Sequence, residues 1–333
     1  MNDSTSIPRR KFVGTMLAGA LAPCYGSAFA GEDSFGLADK LVQFIVPFTP
    51  GTTPDLCARL FSPRLSERIG RTIVVENRPG ASGIIGLGAV AKAAPDGHTL
   101  AFSTNTALTL PLVYSSVPFD VIESFSPVAM LGSTNFALCL HPSIGASTLA
   151  QFIDYVRRNP GKVNYGSPGK GTFHHLCMEM LTAQLGLDMV HVPYKGSAGA
   201  TTDLLAGHIK AMFQPMHVAV PLQQEKRLEI LGASRREQDP GYPAIAPLDK
   251  LGAPGYDADA WYAVWGPRGM KAQTVAAYNQ EINRLLETSD VRATLVKQGV
   301  TPRPMKPQAL ADLSRAEFAK WQGVVKAAGI TPE

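Results

Sequence analysis

Two segments combine glycine, proline and hydroxyl side chains at the point where a predicted strand gives way to a predicted helix. The first is PFTPGTTPD, residues 47–55, and the second is NYGSPGKGTFHHL, residues 164–176. A glycine-containing turn flanked by hydroxyls at a helix start offers backbone N–H groups and the positive end of the helix dipole. The chemistry that such a segment can perform is the binding of an anion.

Part of the first segment has a purely structural explanation. Thr53 suits the N-cap of the helix, Pro54 suits its first position, and Asp55 suits the positive end of its dipole. Residues 49–52 remain unexplained by capping, and they favour an anion cradle over a plain capped turn, which stays the alternative.

The second segment repeats the arrangement further along the chain. Ser167, Gly169, Gly171 and Thr172 follow a predicted strand at residues 163–166 and precede a predicted helix. One such turn is a weak signal. Two of them, each at the carboxyl end of a strand, predict two sets of donors facing one cleft, which suits a ligand with a carboxylate.

Other chemistries fit these residues less well. Residues 166–172 resemble a phosphate loop, but Lys170 precedes the second glycine instead of following it. The adjacent His174 and His175 point about 100° apart on a helix, so both cannot easily bind one ion, and no nearby carboxylate or cysteine completes a metal site. One of the two histidines is expected to line the cleft or cap the helix, and the other to lie at the surface.

Further candidates for the cleft stand at the ends of other predicted strands. Each is equally consistent with an ordinary polar loop. They are Ser103-Thr104-Asn105, Tyr194-Lys195-Gly196 and Gln214.

The elements that would position these segments alternate between short β-branched runs and helical patterns. This alternation predicts an α/β fold with mostly parallel sheets covered by helices. The predicted strands are 43–47, 72–76, 99–103, 163–166, 189–193, 209–213, 228–233 and 261–265, and the predicted helices are 54–69, 82–93, 149–158, 172–185, 198–206, 272–287 and 307–327.

Two such series, followed by a strand and helices that could rejoin the first, predict two lobes. The chain would cross between them near residues 136–140 and 257–261, and two crossings make a hinge. Ligands of such folds sit outside the carboxyl ends of parallel strands. We therefore predict a ligand cleft between lobe 1, residues 31–138 plus 261–333, and lobe 2, residues 139–260.

The first thirty residues read as an export signal. Residues 9–11 form a positive start, residues 12–21 a short apolar stretch, and residues 28–30 a small-x-small cleavage site. The signal at residues 1–30 is thus expected to direct the chain to the periplasm and to be cleaved after Ala30. The adjacent arginines also resemble a twin-arginine signal, and the sequence does not decide between the export routes.

Composition narrows the function further. No segment reaches the ~18 uncharged apolar residues of a membrane-spanning helix. The formal charge is +4, but lysine and arginine are scattered without a basic run, which argues against a nucleic-acid partner. Cys57, Cys139 and Cys177 are odd in number and widely spaced, so they indicate neither a disulfide framework nor a zinc site. Either one pair forms or all three are buried as small apolar residues.

Several longer motifs follow one another along the chain. They are Pro47-Phe48-x-Pro50-Gly51 with Asp55 and Ala58-Arg59, then VVENRPGASG, AKAAPDGHTL, NYGSPGKGT with His175-Leu176, VHVPYKG and TDLLAGHI. In this order they resemble the Bug-type (TctC-like) periplasmic solute-binding receptors of tripartite tricarboxylate transporters. The resemblance runs from about residue 41 to residue 330.

The resemblance implies a two-lobed α/β periplasmic binding protein (type II, Venus-flytrap) with two mixed sheets. Such a receptor is not an enzyme and needs no cofactor or metal. It captures a small carboxylate, here a di- or tricarboxylate, an acidic amino acid or an aromatic acid, and presents it to the membrane subunits of a transporter. We expect it to be a monomer that binds no nucleic acid.

In that family two loops hold the ligand carboxylate through backbone N–H groups, hydroxyls and ordered water. The corresponding loops here are residues 48–55 and 167–175. With the strand-end candidates, the predicted ligand-binding residues are Phe48, Thr49, Gly51, Thr52, Thr53, Asp55, Ser103, Thr104, Asn105, Ser167, Gly169, Lys170, Gly171, Thr172, His175, Tyr194 and Gln214.

The chain departs from the family pattern at two positions. Thr52 stands where many relatives carry glycine, and its β-carbon narrows the first loop. Lys170 stands where a neutral residue is common. We hypothesise that Lys170 pairs with a second acidic group, which favours a dicarboxylate or an aromatic acid over a ligand with a neutral tail.

Two other functions stay open from the sequence. The first is a sensor whose closed form docks on a membrane kinase instead of a transporter. The second, less favoured, is a hydrolase or isomerase that uses Ser167, His175 and Asp203, although Ser167 lacks the G-x-S-x-G elbow of many hydrolases.

Overall fold

The computed structural model describes residues 35–332, so the predicted signal at residues 1–30 lies outside the described part of the chain. Strands and helices alternate along it, as predicted for an α/β protein. The strands are β1 (Val42–Val46), β2 (Ile73–Asn77), β3 (Thr99–Thr104), β4 (Phe125–Thr134), β5 (Phe136–Leu140), β6 (Val163–Ser167), β7 (Met189–Pro193), β8 (Ala211–Pro215), β9 (Glu229–Ala233), β10 (Ala260–Pro267) and β11 (Thr301–Pro302).

Helices cover the sheets, and three short 3₁₀ turns lie at residues 81–83, 142–144 and 248–250. The helices are α1 (Thr53–Ile69), α2 (Ile84–Ala91), α3 (Thr106–Val113), α4 (Leu149–Arg158), α5 (Phe173–Leu185), α6 (Ser197–Leu205), α7 (Met216–Gln224), α8 (Ala272–Glu287), α9 (Ser289–Lys297) and α10 (Pro307–Ala327).

The strands form two mixed sheets, one for each lobe of the fold. The order is β11-β4-β10-β3-β1-β2 in the first sheet and β7-β6-β8-β5-β9 in the second. Four of the nine pairings between these strands are parallel, a smaller share than predicted. The antiparallel pairings arise because the strands that enter each sheet from a crossing, β10 in the first and β5 in the second, run opposite to both of their neighbours, and because β11 runs opposite to β4.

The parallel strands bring the two predicted anion-binding segments to sheet edges. In the first sheet β1 and β2 are in register up to the Val46–Asn77 pair. In the second sheet β6 and β7 are in register up to the Ser167–Pro193 pair. The loops that follow these strands therefore leave each sheet at its carboxyl edge, as expected for ligand loops.

The chain crosses between the sheets twice, as predicted for a hinge. Asn135 alone separates β4 from β5, and residues 234–259 lead from β9 back to β10. The Asn135 Oδ1 atom accepts hydrogen bonds from Ser234 Oγ and Arg235 N, both 3.2 Å away, so the two crossings are tied together. Residues 136–140 belong to the second sheet, whereas the division of the chain into lobes at residues 138 and 260 stays a prediction.

The helix α10 makes a further connection between the lobes. Its Leu310 packs in a core with Trp261 and Trp265 of the first sheet. Its Trp321 packs edge-on against Phe173 of α5, with the ring centroids 5.9 Å apart. The helix α10 thus contributes apolar side chains to two core clusters, one with the first sheet and one with α5 of the second lobe.

Several elements escape the sequence-based prediction, and each has a physical reason. The helices α3 and α7 contain Pro111 and Pro221, and a proline inside a helical pattern normally predicts a break. Strand β4 is buried on both faces over most of its length, so it lacks the alternation that marks a half-exposed strand. Strand β8 begins two residues later than predicted because Ile209 N still bonds to Asp203 O in the turn after α6.

Other predictions are confirmed to the residue, including α4, β7, α8 and α10. Among the described residues, none of the helices combines the length and the apolar character that crossing a membrane requires. The three cysteines of this region are free and buried, which agrees with the second of the two interpretations given for them.

Candidate functional site

A cavity of about 1070 Å³ lies between the lobes, at the carboxyl edges of the parallel strands. Twelve of the predicted ligand-binding residues line it and five do not. Those in the wall are Phe48, Thr49, Gly51, Thr52, Thr53, Thr104, Asn105, Gly169, Lys170, Thr172, Tyr194 and Gln214. The other five are Asp55, Ser103, Ser167, Gly171 and His175, which lie behind the wall.

The first ligand loop, residues 47–53, is a tight turn that leads into α1. Gly51 takes a φ of 81°, which favours glycine. The carbonyl of Thr49 accepts hydrogen bonds from Thr52 Oγ1 at 2.8 Å and from Thr52 N at 3.4 Å. The N-cap is therefore Thr52, not Thr53 as predicted, and its hydroxyl closes the turn instead of capping the helix.

Asp55 braces the first loop from behind. Its carboxylate accepts hydrogen bonds from Gly51 N at 2.9 Å, Asn77 Nδ2 at 2.9 Å and Arg59 Nε at 3.0 Å. Burial alone would raise the pKa of Asp55, but these bonds and the charge of Arg59 hold it below its ordinary value. Asp55 does not line the cavity, and these three bonds give its carboxylate a structural role, whereas its predicted contact with the ligand stays a prediction.

The second ligand loop, residues 167–173, is braced by neutral groups. Ser167 Oγ accepts a hydrogen bond from Gly169 N at 3.2 Å and lies 2.7 Å from His191 Nε2. Gly171 N donates to His175 Nδ1 at 3.2 Å. Thr172 Oγ1 donates to Gly169 O at 2.7 Å. Ser167, Gly171 and His175 therefore shape the loop, and the wall itself is formed by their neighbours.

His175 is held in one protonation state by this geometry. Because the Gly171 N–H donates to Nδ1, that nitrogen carries no proton, and Nε2 lies 3.7 Å from Glu179 Oε1. Burial, with His191 and Lys170 nearby, lowers the pKa of His175 to about 3. The histidine in the cavity wall is its neighbour His174, since α5 begins at Phe173 and its first turn presents residue 174 to the cleft.

A third segment of the wall was not predicted. Residues 80–83 all have positive φ, at 133°, 45°, 52° and 108°. Such values are uncommon for residues other than glycine, such as Ala81 and Ser82. Ser82 Oγ donates to the carbonyl of Lys170 at 2.8 Å, so this segment touches the second loop across the cleft. The signal available in the sequence is the Pro-Gly-Ala-Ser-Gly run at residues 79–83.

The second loop makes further contacts with the first lobe. Thr109 Oγ1 donates to Gly171 O at 2.7 Å, and Phe173 N donates to Thr106 Oγ1 at 3.3 Å. Lys170 Nζ donates to Thr331 O at 3.4 Å. A contact between Lys170 and a ligand would therefore require its ammonium group to leave the C-terminal segment.

The wall of the cavity has a distinctive charge pattern. Among the described residues that line it there is no aspartate or glutamate, and the lysines are Lys170 and Lys195. Five helices contribute residues of their first turns to the wall, and the positive ends of helix dipoles favour anions. These residues are Thr53 of α1, Thr106 of α3, Phe173 and His174 of α5, Ser197 and Ala198 of α6, and His217 and Val218 of α7.

The residues suggested for hydrolysis do not assemble. Ser167 is fully buried and its Oγ lies beside His191 instead of His175. Asp203 accepts a hydrogen bond from Tyr194 at 2.6 Å and lies 3.3 Å from His208 Nδ1. Within residues 35–332, no group of three or more histidine, cysteine and acidic side chains could hold a metal ion.

The fold and the cleft define a class, the two-lobed α/β solute-binding proteins. The family model described as the tripartite tricarboxylate transporter family receptor, TctC, matches residues 57–330. The chain belongs to this family, a family of periplasmic solute-binding proteins, and the resemblance found from the sequence is confirmed.

Relatives of known name agree with this assignment. Protein BugT of Bordetella pertussis is 32% identical over 290 residues, which cover 86% of this chain and 89% of BugT. The protein in the tcbD-tcbE intergenic region of Pseudomonas sp. strain P51, a UPF0065 protein, is 31% identical over 324 residues, 97% of this chain and 95% of that protein.

Solved structures agree as well. Rpa4515 of R. palustris with adipate has a TM-score of 0.83 and 32% identity, covering 88% of this chain and 98% of that one. MatC of Rhodopseudomonas palustris with bound malate has a TM-score of 0.78 and 30% identity, covering 86% of this chain and 98% of that one.

Proposed function

We propose that this chain is a periplasmic receptor that captures a small organic carboxylate and presents it to the membrane subunits of a tripartite transporter. The signal at residues 1–30 is removed after Ala30, and the mature receptor acts as a monomer. It binds its ligand without converting it. The ligand bridges the two lobes, and closure is favoured by contacts that form only when both ligand loops engage the same molecule.

The charge pattern of the cavity carries this proposal. Its described wall lacks acidic side chains, holds two lysines and receives five helix N-termini. Buried anions require paired charges or hydrogen-bond donors, and helix starts supply donors together with a positive dipole end. A cation would find no counter-charge in this wall, whereas a carboxylate would find several donors.

The ligands of related structures support the same class. The structures of Rpa4515 with adipate and of MatC with malate both hold a carboxylic acid. These two proteins share about a third of their residues with this chain over nearly their whole length. A carboxylate is therefore the first ligand class to test, and which carboxylate is a separate question.

Matched acid and amide pairs test whether the cavity selects the charge. We would measure thermal unfolding of residues 31–333 with adipate against adipamide and with benzoate against benzamide. At a hundredfold excess over Kd, a bound acid should stabilise the protein by about 2.7 kcal/mol, whereas the amides should leave Tm unchanged. Amides that stabilise as well as the acids, or acids that never shift Tm, would overturn the proposal.

A charge placed in the wall tests the location of the site. Val218 lies half-buried in the first turn of α7 and lines the cavity. Val218→Glu should weaken acid binding about tenfold or more, because it brings a like charge close to the carboxylate. Val218→Gln, of equal size and no charge, is the reference. Equal affinity in the two variants would place the ligand elsewhere.

The partner is tested separately from the ligand. Membranes that carry the transporter subunits should retain the ligand-loaded protein in a pull-down, and membranes that carry a sensor kinase should not. Retention by the kinase alone would favour the sensor. Mass spectrometry after incubation with the protein should recover the acid unchanged. Detection of a reaction product would support the hypothesis that the protein is an enzyme.

A further inference from the structure

We propose that residues 80–83 form a latch between the two ligand loops, in which the Ser82 hydroxyl holds the second loop in place and thereby slows the release of the ligand. Ser82 is a positioning residue, because it acts on the ligand through the loop that it holds. This inference rests on the proposed function, since a latch across the cleft matters only if the cleft retains a ligand.

The latch packs against the first ligand loop on one side. A Cβ added at Gly83 would lie 3.5 Å from Pro47 Cβ and 3.7 Å from Phe48 Cζ. A Cβ at Gly86, one turn further along, would lie only 2.8 Å from Pro47 Cα. The backbone that carries the latch is therefore in close contact with the first loop, and close packing of this kind leaves little room for independent movement.

On its other side the latch holds the second ligand loop. Ser82 Oγ donates a hydrogen bond to Lys170 O at 2.8 Å and lies 3.0 Å from Tyr114 Oη. Tyr114 Oη also lies 3.3 Å from Lys170 O. A Cβ on Gly169 would lie 2.8 Å from Ser82 Oγ, so the loop approaches the latch more closely than a side chain at this position would allow. Two hydroxyls of the first lobe thus converge on one carbonyl of the second lobe.

The backbone of the latch is strained, and the hydroxyl explains why. Ala81 and Ser82 take φ of 45° and 52°, left-handed values that residues other than glycine adopt at a cost in energy. Glycine at position 82 would remove this cost but would supply no hydroxyl. Strained residues of this kind persist where their surroundings fix them. The hydrogen bond from Ser82 to Lys170 is the interaction that compensates for the strain.

The position of the latch determines which rate it affects. Ser82 follows β2 of the first sheet and Lys170 follows β6 of the second sheet, so their bond forms only when the lobes approach each other. A ligand that enters an open cleft meets no latch, whereas a ligand that leaves has to wait until the bond breaks. The latch should therefore slow dissociation without speeding association.

Dissociation rates test the latch. We would measure the binding kinetics of adipate, hexanoate and benzoate on residues 31–333 by surface plasmon resonance. Ser82→Ala should raise the dissociation rate of each acid about threefold to tenfold and should not lower the association rate. Ser126→Ala is the matched control, because it removes a serine-to-carbonyl bond of 3.0 Å within the first lobe, and its rates should equal those of the natural chain. An unchanged dissociation rate in Ser82→Ala would overturn the inference.

A direct contact between Ser82 and the ligand has to be separated from a latch, since Ser82 also lines the cavity. A latch acts on the loop, so the dissociation rates of all three acids should rise by the same factor. In the ligand-free Ser82→Ala protein, the amide hydrogens of residues 168–173 should exchange about threefold to tenfold faster, and those of residues 49–55 should not change. A factor that differs among the acids while exchange stays unchanged would assign the hydroxyl to the ligand and contradict the latch.

Two further variants separate the hydroxyl from the strain. Ser82→Gly removes both, so it should fold at least as well as Ser82→Ala and release the acids as fast. Tyr114→Phe leaves Ser82 on the carbonyl and should have a smaller effect. The double variant Ser82→Ala/Tyr114→Phe should exceed the product of the single effects, because each hydroxyl can replace the other.

The failure of the latch and the failure of the proposed function differ. Release of the acids from Ser82→Gly at the natural rate would show that the hydroxyl is not needed and would contradict the latch. If the natural chain bound none of the three acids, the proposed function itself would be overturned.

Discussion

The two ligand loops occupy equivalent places in their lobes but are held in opposite ways. The first loop is braced by a charged carboxylate, Asp55, and by contacts within its own lobe. The second loop is braced by the neutral Ser167 and His175 and touches the other lobe at Ser82 and Thr109. The hydrogen bonds that hold the first loop thus come from its own lobe, whereas the second loop is clamped between the two lobes.

Glycines show the same difference. A Cβ added at Gly51 would meet nothing within 4 Å, whereas a Cβ at Gly171 would lie 2.4 Å from Val113 Cγ2 of α3. Both glycines have positive φ, 81° and 76°, so backbone strain is common to both and steric contact is not. Similar sequences at two strand ends can therefore differ in whether they accept a side chain in place of a glycine.

The largest effect is therefore expected from Gly171→Ala. Strain of about 1–2 kcal/mol adds to an overpacking cost of about 1–3 kcal/mol, and the displaced loop should also lose ligand affinity. Gly51→Ala is the matched control, because it carries the strain without the clash. Urea unfolding measures both, and equal losses of stability would refute the clamp.

Acid should act on the second loop before the first. His175 is neutral in the fold, with a pKa of about 3, but the unfolded chain binds this proton near pH 6.5. The unfolded state thus gains a proton on acidification, so stability is complete above about pH 6.5 and falls by about 1.4 kcal/mol per pH unit below it. Burial also lowers the pKa of His174, so this residue adds to the same loss of stability on acidification.

His175→Asn tests this reading of the acid limb. An asparagine keeps an acceptor near the position of Nδ1 for Gly171 N and removes the titration, so the slope of stability against pH should decrease by one proton between pH 4.5 and 6. Ligand affinity of the natural chain should stay flat between about pH 6 and 8, because His175 does not titrate there. An unchanged slope in the variant would show that His175 is charged in the fold.

The first loop should respond to acid only below about pH 4. The pKa of Asp55 is lowered in the fold, so its stabilisation is present above the unfolded value and is lost as pH falls through the folded one. Asp55→Asn keeps one acceptor oxygen for three donors and should cost about 1–3 kcal/mol at neutral pH. Arg59→Gln removes a half-exposed ion pair and an exposed hydrogen bond to Asn77 Oδ1. It should cost less than about 1 kcal/mol, and a reversed order would contradict the bracing role.

Much of this architecture follows from the sequence. Alternating strands and amphipathic helices predicted the α/β fold, and α4, α8 and α10 carried signals strong enough to give their limits. The two loops were recognisable because glycine and hydroxyl residues stood between a strand and a helix. A loop of this kind depends on consecutive residues, so it can be predicted without knowledge of the fold.

What escaped prediction depends on contacts between distant residues. The sequence could not show that Ser82 would meet Lys170, or that Asp55 would turn toward Gly51 and Asn77. It placed His175 in the cleft although the first turn of α5 presents His174 there. His175 was predicted because it belongs to the motif of the second loop, and the motif does not show that its ring accepts a hydrogen bond from Gly171 N within that loop.

The smallest effect concerns Lys170, whose ammonium lies on the C-terminal segment in the structure. Lys170→Ala should change the free energy of unfolding by less than about 0.5 kcal/mol, as is usual for a surface contact, and should change the Kd of hexanoate by less than about threefold. The Kd of the same variant for adipate tests the hypothesis that Lys170 pairs with a second acidic group of the ligand. If Lys170→Ala weakened the binding of adipate alone, the Lys170 ammonium would contact the second carboxylate in the complex instead of the Thr331 carbonyl. The second loop would then carry a charged group at the ligand. If the substitution changed the Kd of neither acid, Lys170 would make no contact with the ligand. The positive potential of the site would then come from the helix N-termini and from Lys195.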